Sequence, residues 1–235
     1  MIIAATSDAH LPKYYDDFIV ALDHLTTKPD LFLLAGDMVH RGDEAEYDKL
    51  QNLFFGKIFC PIVACFGNNE FQEIRDKVKG KYKDIKFLDD SSAVIEFGGY
   101  SIGIFGSTGS LETPTPWQKT NLPNIERQYQ SRLEMAEDQL NRMRTQYKIL
   151  LLHYAPTFKT LQGENPRFFA SMGNQAFENV LNRVKPNLVI HGHSTHGTKE
   201  AWVDSVPVFN VAFPLNREIV VIDTDKLKQG LAKFV

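Results

Sequence analysis

The feature that most constrains this chain is the alternation, early in its length, of short apolar runs with amphipathic stretches. Residues 1–7, 31–35 and 62–66 have the length and character of buried strands, while 12–27 and 44–58 carry helical periodicity. A β-α-β-α-β order predicts a parallel sheet with right-handed crossovers, and ligands of such sheets gather at the carboxyl ends of the strands. Polar residues just after each apolar run are therefore the first candidates for chemistry.

Further along, 70–83 reads as helix or loop, and 86–88, 93–97 and 100–105 read as strands, with Gly98-Gly99 as a hairpin turn between the last two. The stretch 107–124 is rich in Pro, Thr and Gly and reads as a long loop, followed by helical periodicity over 125–144. A strand at 148–152, a loop to about 169, a helix near 174–184 and strands at 188–190, 208–211 and 218–222 complete the pattern. At 235 residues the expectation is one α/β domain spanning 1–235.

The strand ends carry a consistent set of side chains. Asp8 and His10 follow the first run, Asp37 follows Gly36, Asn68 follows Gly67, His153 follows the 148–152 strand, and His191, His193 and His196 cluster after 188–190. Carboxylate, imidazole and amide donors suit divalent cations such as Mn, Fe, Zn or Co, and neither Cys60 nor Cys65 is needed. Any one of these residues alone is more simply a helix cap, a turn former or a structural histidine. Ligand-capable residues at five separate strand ends make coincidence the poorer explanation.

Asp8-Ala9-His10, Gly36-Asp37, Gly67-Asn68, His153 and Gly192-His193 together resemble the ordered motif series of the calcineurin-like metallophosphoesterases. The resemblance spans nearly the whole chain and implies a four-layer α/β/β/α sandwich with two divalent metal ions above the strand ends. It assigns Asp8, His10 and a late histidine to one metal, and Asn68, His153 and another late histidine to the second, with Asp37 bridging. A carboxylate suits the bridge because it has two oxygens and a charge that screens the cations from each other. Two cations roughly 3.5–4 Å apart activate a shared water and clamp a phosphoryl group. The implied activity is hydrolysis of a phosphate ester by a phosphodiesterase or phosphatase, a small-molecule or nucleotide phosphodiester or a cyclic nucleotide being the expected substrate, with a nuclease as the less favoured alternative.

The chain departs from that family pattern in three places. The family's closing Gly-His-x-His reads Gly192-His193-Ser194-Thr195-His196, so the last ligand is His196 through a changed turn, His191 from before the glycine, or absent; His196 is the narrow choice. Where the family often has Gly-Asn-His-Asp/Glu, the chain has Gly67-Asn68-Asn69-Glu70, so the histidine that commonly protonates the leaving group is replaced by Asn69. Asn69 can donate a hydrogen bond to phosphate but cannot serve as the acid. Gly36 to Gly42 resembles the Gly-Asp-x-Val-Asp-Arg-Gly run of the phosphoprotein phosphatase branch, with His40 in place of an Asp and Arg41 as a phosphate-binding candidate.

Charge and composition narrow the alternatives. A net charge of -3, with 43% hydrophobic and 23% charged residues, argues against broad nucleic-acid binding and against disorder. The first residues show no basic segment or cleavage pattern, and no apolar run approaches membrane-spanning length, so a soluble, cytoplasmic protein without a membrane partner is expected. Lys77, Lys79, Lys81, Lys83 and Lys86 form either an exposed loop or edge or a contact for a polyanion. Phe158, Arg167, Phe168 and Phe169 either line a substrate pocket or pack within their own loop. The rival function is a scaffold that keeps the fold without catalysis, and retention of the ligand series speaks against it. Oligomeric state has no signature in the sequence.

Overall fold

The computed structural model describes residues 1–231; residues 232–235 of the expected unit lie outside it. Two sheets lie face to face. The first is built from β1 (Ile2–Thr6), β2 (Leu31–Ala35), β3 (Ile62–Cys65) and β4 (Ile85–Leu88), mutually parallel, with β11 (Val220–Asp223) antiparallel on β1. Helices α1 (Tyr15–Asp23), α2 (Glu44–Phe54) and α3 (Gln72–Lys81) are its crossovers.

The second sheet contains β5 (Ser91–Phe97), β6 (Tyr100–Ser107), β7 (Tyr147–Leu152), β8 (Leu188–His191), β9 (Glu200–Val203) and β10 (Val206–Asn210), in the order β5-β6-β7-β8-β10-β9. Its helices are α4 (Pro116–Asn121), α5 (Ile125–Arg142) and α6 (Ala176–Val184), while α7 (Phe213–Asn216) and α8 (Thr224–Leu231) flank the return strand β11.

Strand periodicity explains the layering. Ile3 and Ala5, Leu31 and Leu33, and Val63 and Cys65 point between the sheets, where they meet Ile102, Ile104, Ile149, Leu151, Leu188 and Ile190. The alternate residues Ala4, Phe32, Leu34 and Ala64 point the other way, into Phe18, Leu22, Tyr47, Leu50 and Phe54 of α1 and α2. On the far side, Leu150, Leu152 and Val189 pack under Leu133, Leu140, Phe177 and Leu181 of α5 and α6. Strands buried on both faces must be apolar at successive positions, which is why these runs are unbroken rather than alternating. The result is the expected α/β/β/α order. Truncating a residue such as the fully buried Leu33 to Ala leaves a void at the centre, a loss of about 2–5 kcal/mol.

Three segments differ from their sequence reading. The stretch 107–124 is not all loop: Thr115 Oγ1 accepts from the Gln118 N–H at 3.2 Å, and Gln118 Oε1 accepts from the Thr115 N–H at 2.9 Å. This capping box, with Pro116 in the first turn, starts α4. Four-residue β9 was hidden by its shortness and by charged Glu200; it forms the sheet edge, antiparallel to β10. The lysine row is helical over Lys77, Lys79 and Lys81 and is already paired. Lys81 meets Asp48 at 2.7 Å, Lys79 meets Asp76 at 2.9 Å, and Lys77 pairs with Glu44.

Candidate metal centre

The sheets present their carboxyl ends together, and the loops leaving β1, β2, β3, β7 and β8 converge there. Asp8 Oδ2 accepts from Ser7 Oγ at 2.6 Å and from the His193 backbone N–H at 2.8 Å. Its other oxygen, Oδ1, lies 3.8 Å from His10 Nε2. Asp37 Oδ2 is 3.8 Å from that same His10 nitrogen and 3.5 Å from His153 Nε2. Asn68 Oδ1 stands 3.0 Å from His153 Nε2. Two groups of ligand atoms each fit within 4.8 Å: Asp8, His10 and Asp37, and Asp8, His153 and His193. Asp8 thus belongs to both groups, while Asp37 spans His10 and His153.

Local backbone chemistry explains why these side chains can converge. Asp8, His10, Asp37 and His193 all have left-handed backbone angles, with φ of 56°, 42°, 52° and 68°. Each such residue costs on the order of 1 kcal/mol or more and persists only where the surroundings impose it. The adjoining glycines are spatially required. A Cβ on Gly36 would lie 2.6 Å from Gly67 N and 2.9 Å from His153 Nδ1, and one on Gly192 would lie 2.5 Å from Asp8 Oδ2. A Cβ on Gly67 would collide with the Asp37 carboxylate. Every motif glycine is small because a ligand residue or its neighbour occupies the space a side chain would need.

Glu70, which the sequence reading used only as part of a motif, fastens two of these loops. Its Oε2 accepts from Gly67 N at 2.8 Å and Asp37 N at 3.2 Å, and its Oε1 from Met38 N at 3.1 Å and Tyr47 Oη at 2.8 Å. Arg75 supports the same corner, with Nε donating to the Glu70 carbonyl at 2.9 Å and a terminal nitrogen to the Gly67 carbonyl at 3.2 Å. Burial, and then the Asp37 charge, raise the Glu70 carboxyl above its ordinary range. The acid three residues after the motif glycine is plain in the sequence, but its burial and its reach to Asp37 and Met38 appear only in the fold.

The donor set fits divalent cations. His153 Nδ1 is 2.9 Å from the Ala35 carbonyl, which can only accept, so the ring proton sits on Nδ1 and Nε2 faces Asn68 and Asp37. An unprotonated Nε2 opposite two oxygens is an arrangement of lone pairs that a cation satisfies. Burial lowers the His153 pKa, but Asp37 and Asp8 outweigh burial and raise it, so the two carboxylates favour positive charge at this point. Burial and the Asp37 charge raise Asp8. Asp37 is pulled down despite its burial, by His153, His10 and the Asn69 hydrogen bonds. His193 is driven to about 3 by burial and by the His153 charge, which keeps it neutral and available as a ligand.

The remaining sequence candidates are placed unevenly. Asn69 lies at the site and is tied to Asp37, its backbone N–H donating to Oδ1 and its Nδ2 to Oδ2, each at 2.7 Å. His40 is exposed, its ring centre 6.3 Å from that of His10. Arg41, at a φ of 51°, is also exposed, on the short 3-10 turn His40–Gly42. His191 is fully buried, with Nδ1 2.9 Å from the Gly192 carbonyl and, among the described residues, no partner on Nε2, and burial lowers it to about 4. The structure does not bring His196 to either ligand group. Its side chain is 77% exposed, its backbone N–H donates to Glu164 Oε1 at 2.8 Å, and Nδ1 is 3.0 Å from Thr195 Oγ1. Phe158 and Phe169 pack edge to face at 5.5 Å within their own loop.

Residues 1–196 match the family described as calcineurin-like phosphoesterase. The chain belongs to that family. Calcineurin-like phosphoesterases as a group are metal-binding phosphoric ester hydrolases, and the two sheets flanked by helices are their fold. No curated protein matches the sequence. Among solved structures, the fold is similar to a phosphopantetheinyl hydrolase from Mycobacterium tuberculosis, at 16% identity, a TM-score of 0.66 and coverage of 89% of this chain and 88% of that one. It is also similar to a 5′-nucleotidase precursor from Thermus thermophilus, at 16% identity and a TM-score of 0.55, covering 100% of this chain but 58% of the other. A third similar fold is GAP50, described as the anchor in the inner membrane complex of Plasmodium, at 11% identity, a TM-score of 0.52 and coverage of 91% and 72%. Likeness at these identities speaks for the fold alone. No helix among the described residues is long and apolar enough to cross a membrane.

Proposed function

We propose that this member of the family is a two-metal phosphoester hydrolase that favours diesters with good leaving groups. The observation that carries the reading is the convergence of Asp8, His10, Asp37, His153 and His193 into two overlapping ligand groups, with Asn68 Oδ1 3.0 Å from His153. In this reading Asp8, His10 and Asp37 hold one cation, and Asn68, His153, His193 and Asp37 the other. Bound divalent cations supply a water acidic enough to attack at neutral pH and offset the charge of the phosphoryl group. The chain's own residues do the rest. His153 is oriented by the Ala35 carbonyl, Asp8 by Ser7 and the His193 amide, and Asp37 by Asn69, so the donors are held before any cation arrives.

Leaving-group preference follows from Asn69. A side-chain amide has no acidic proton to transfer, and Asn69 Nδ2 already donates to Asp37 Oδ2 at 2.7 Å. Without a general acid, whose help is worth about 10²–10⁴-fold, the leaving oxygen departs unaided, and esters of acidic alcohols are turned over faster than simple alkyl esters. The GAP50 fold likeness keeps an anchoring scaffold in view, but a scaffold has no use for strained backbone at Asp8, His10, Asp37 and His193. The test is metal analysis of the purified protein, then hydrolysis of mono-, di- and cyclic esters with Mn, Zn, Fe and Mg. Two bound equivalents and diester turnover support the reading; metal-free protein inert under every metal sinks it.

A further inference from the structure

Beside the ligand groups lies a cleft of ≈ 780 Å³, which opens at Asn68 and runs between the start of α3 and helices α4 and α5. That volume falls within the range of ligand sites, roughly 300–1,000 Å³. Tyr154 ties it to the candidate centre: its ring centre is 4.9 Å from that of His193. The floor is rigid and already satisfied. Gln118 is buried and donates to Tyr154 Oη at 3.2 Å, and Arg132 is fixed by Asp90 at 2.9 Å and by the Gly109 carbonyl at 2.9 Å. The floor therefore asks for little hydrogen bonding from an occupant.

The walls and rim ask for something specific. Trp117, 58% exposed, and Phe71, 41% exposed, both line this cleft. Large aromatic faces left open inside a concave site are surfaces on which a planar ring stacks. Arg127 and Glu73 also line it, and neither has an ion-pair or side-chain hydrogen-bond partner among the described residues. A guanidinium and a carboxylate at the rim of one aromatic cleft supply donors and acceptors together, which matches the mixed edge of a nucleobase and is of no use to an alkyl chain.

We propose that this cleft seats the nucleoside of a nucleotide-class phosphate ester, with the base against Trp117 and Phe71 and its polar edge toward Arg127 and Glu73. The inference rests on the phosphoesterase reading for the reacting end, while the cleft is tested separately. Trp117 is one of two tryptophans, so Trp202→Phe leaves it as the sole reporter. In the metal-loaded Trp202→Phe protein, adenosine or thymidine 5′-monophosphate quenches the indole emission saturably, and ribose 5-phosphate and inorganic phosphate do not. Equal response to all four, or to none, overturns the subsite whether or not the protein is a catalyst.

The kinetic arm compares thymidine 5′-(p-nitrophenyl) phosphate with methyl p-nitrophenyl phosphate, which share a leaving group. Trp117→Ala, at an exposed position on the first turn of α4, lowers kcat/KM for the nucleoside ester about 5- to 100-fold and for the methyl ester less than about 2-fold. Equal losses on both esters, or no loss on either, overturn the proposal. If neither ester is cleaved under any metal, the phosphoesterase reading fails, and the fluorescence titration still decides the cleft.

Discussion

The candidate centre has two halves that are built differently. The loops after β2 and β3 are locked from behind: Glu70 gathers the Gly67, Asp37 and Met38 amides with Tyr47, Arg75 braces the corner, and Asn69 holds both oxygens of Asp37. The loop after β8 has no single acid behind it and is tied by separate bonds from several elements: Gly192 N donates to the His153 carbonyl at 3.1 Å and Asn210 Nδ2 to the Ser194 carbonyl at 2.8 Å. Its Gly192 approaches Asp8 and its His193 amide donates to that carboxylate, but beyond Ser194 the chain turns outward and Glu164 collects both Ser194 Oγ and the His196 amide. The half with the fully buried Glu70 gathering its amides keeps the family spacing, and the half tied to the partly buried Glu164 has lost it. Ligand identity is thus secured by what lies behind the ligand as much as by the ligand itself.

The sharpest break of this comparison is Asp37→Asn. The change removes the charge that spans His10 and His153, leaving two cations to repel each other and a less acidic water. Turnover is expected to fall by at least about 10³-fold, with loss of at least one metal equivalent by elemental analysis. Near-normal turnover in a folded variant ends the two-metal mechanism.

Glu70→Gln tests the locking of the first half without touching a ligand. Each Glu70 oxygen faces two donors, so a glutamine must turn its own N–H toward at least two of them. The expected loss is about 1–3 kcal/mol of stability, read as a lowered Tm, together with weakened metal affinity. A variant with wild-type Tm and metal content shows that Glu70 holds nothing.

A proton marks the interface between the halves. Burial lowers the His153 pKa, but Asp37 and Asp8 outweigh it and raise the value, so the two carboxylates favour a bound proton where a cation would sit. Metal uptake must displace that proton, and affinity therefore falls as pH drops through the raised value. Calorimetric titration in buffers of different ionisation enthalpy reads the release directly. An affinity that does not fall as the pH is lowered through the raised value contradicts the assignment of His153 as a ligand.

His40 is a smaller lever. It is the exposed imidazole nearest His10 outside the ligand groups, with ring centres 6.3 Å apart. If it has taken over protonation of the leaving group, His40→Ala slows alkyl esters by about 10²-fold or more and aryl esters hardly at all. Equal small effects on both leave Asn69 as the mark of a missing acid.

Much of this was legible in the sequence for physical reasons. Strands buried on both faces announce themselves as unbroken apolar runs, so β1, β2, β3 and β7 and the polar residues after them were found together. The Thr115-Pro116-Trp117-Gln118 capping box was also present in the letters, but the surrounding Pro and Thr drew the reading toward loop. Trp117, which that helix sets in the cleft, went unread with it. Glu70 was visible, but its bonds to Asp37 and Met38 cross 33 and 32 residues, and no local pattern reports such reach. The late histidines were the hardest. Spacing alone cannot say which way a turn faces, and it was Glu164, a residue 32 positions earlier, that decided the direction of His196.

That last point gives the finest test of the two halves. The spacing favours His196 over His191 as the final ligand, whereas the structure puts His196 in solvent and buries His191 fully, its Nε2 without a partner among the described residues. A surface histidine whose side chain meets Thr195 and Glu164, and which joins neither ligand group among the described residues, is dispensable to the centre, so His196→Ala should leave metal content and turnover within about 2-fold of wild type and stability within about 0.5 kcal/mol. His191→Ala removes a fully buried ring and must destabilise the fold, so its Tm falls whatever its role. The separating measurement is therefore metal content in a His191→Gln protein that remains folded. If His191→Gln keeps both equivalents and His196→Ala also keeps both, the first cation is held by Asp8, His10 and Asp37 without a late histidine. Loss of one equivalent in His196→Ala alone would show that the loop after β8 turns inward when metal binds, and that the outward tie to Glu164 belongs to the metal-free state.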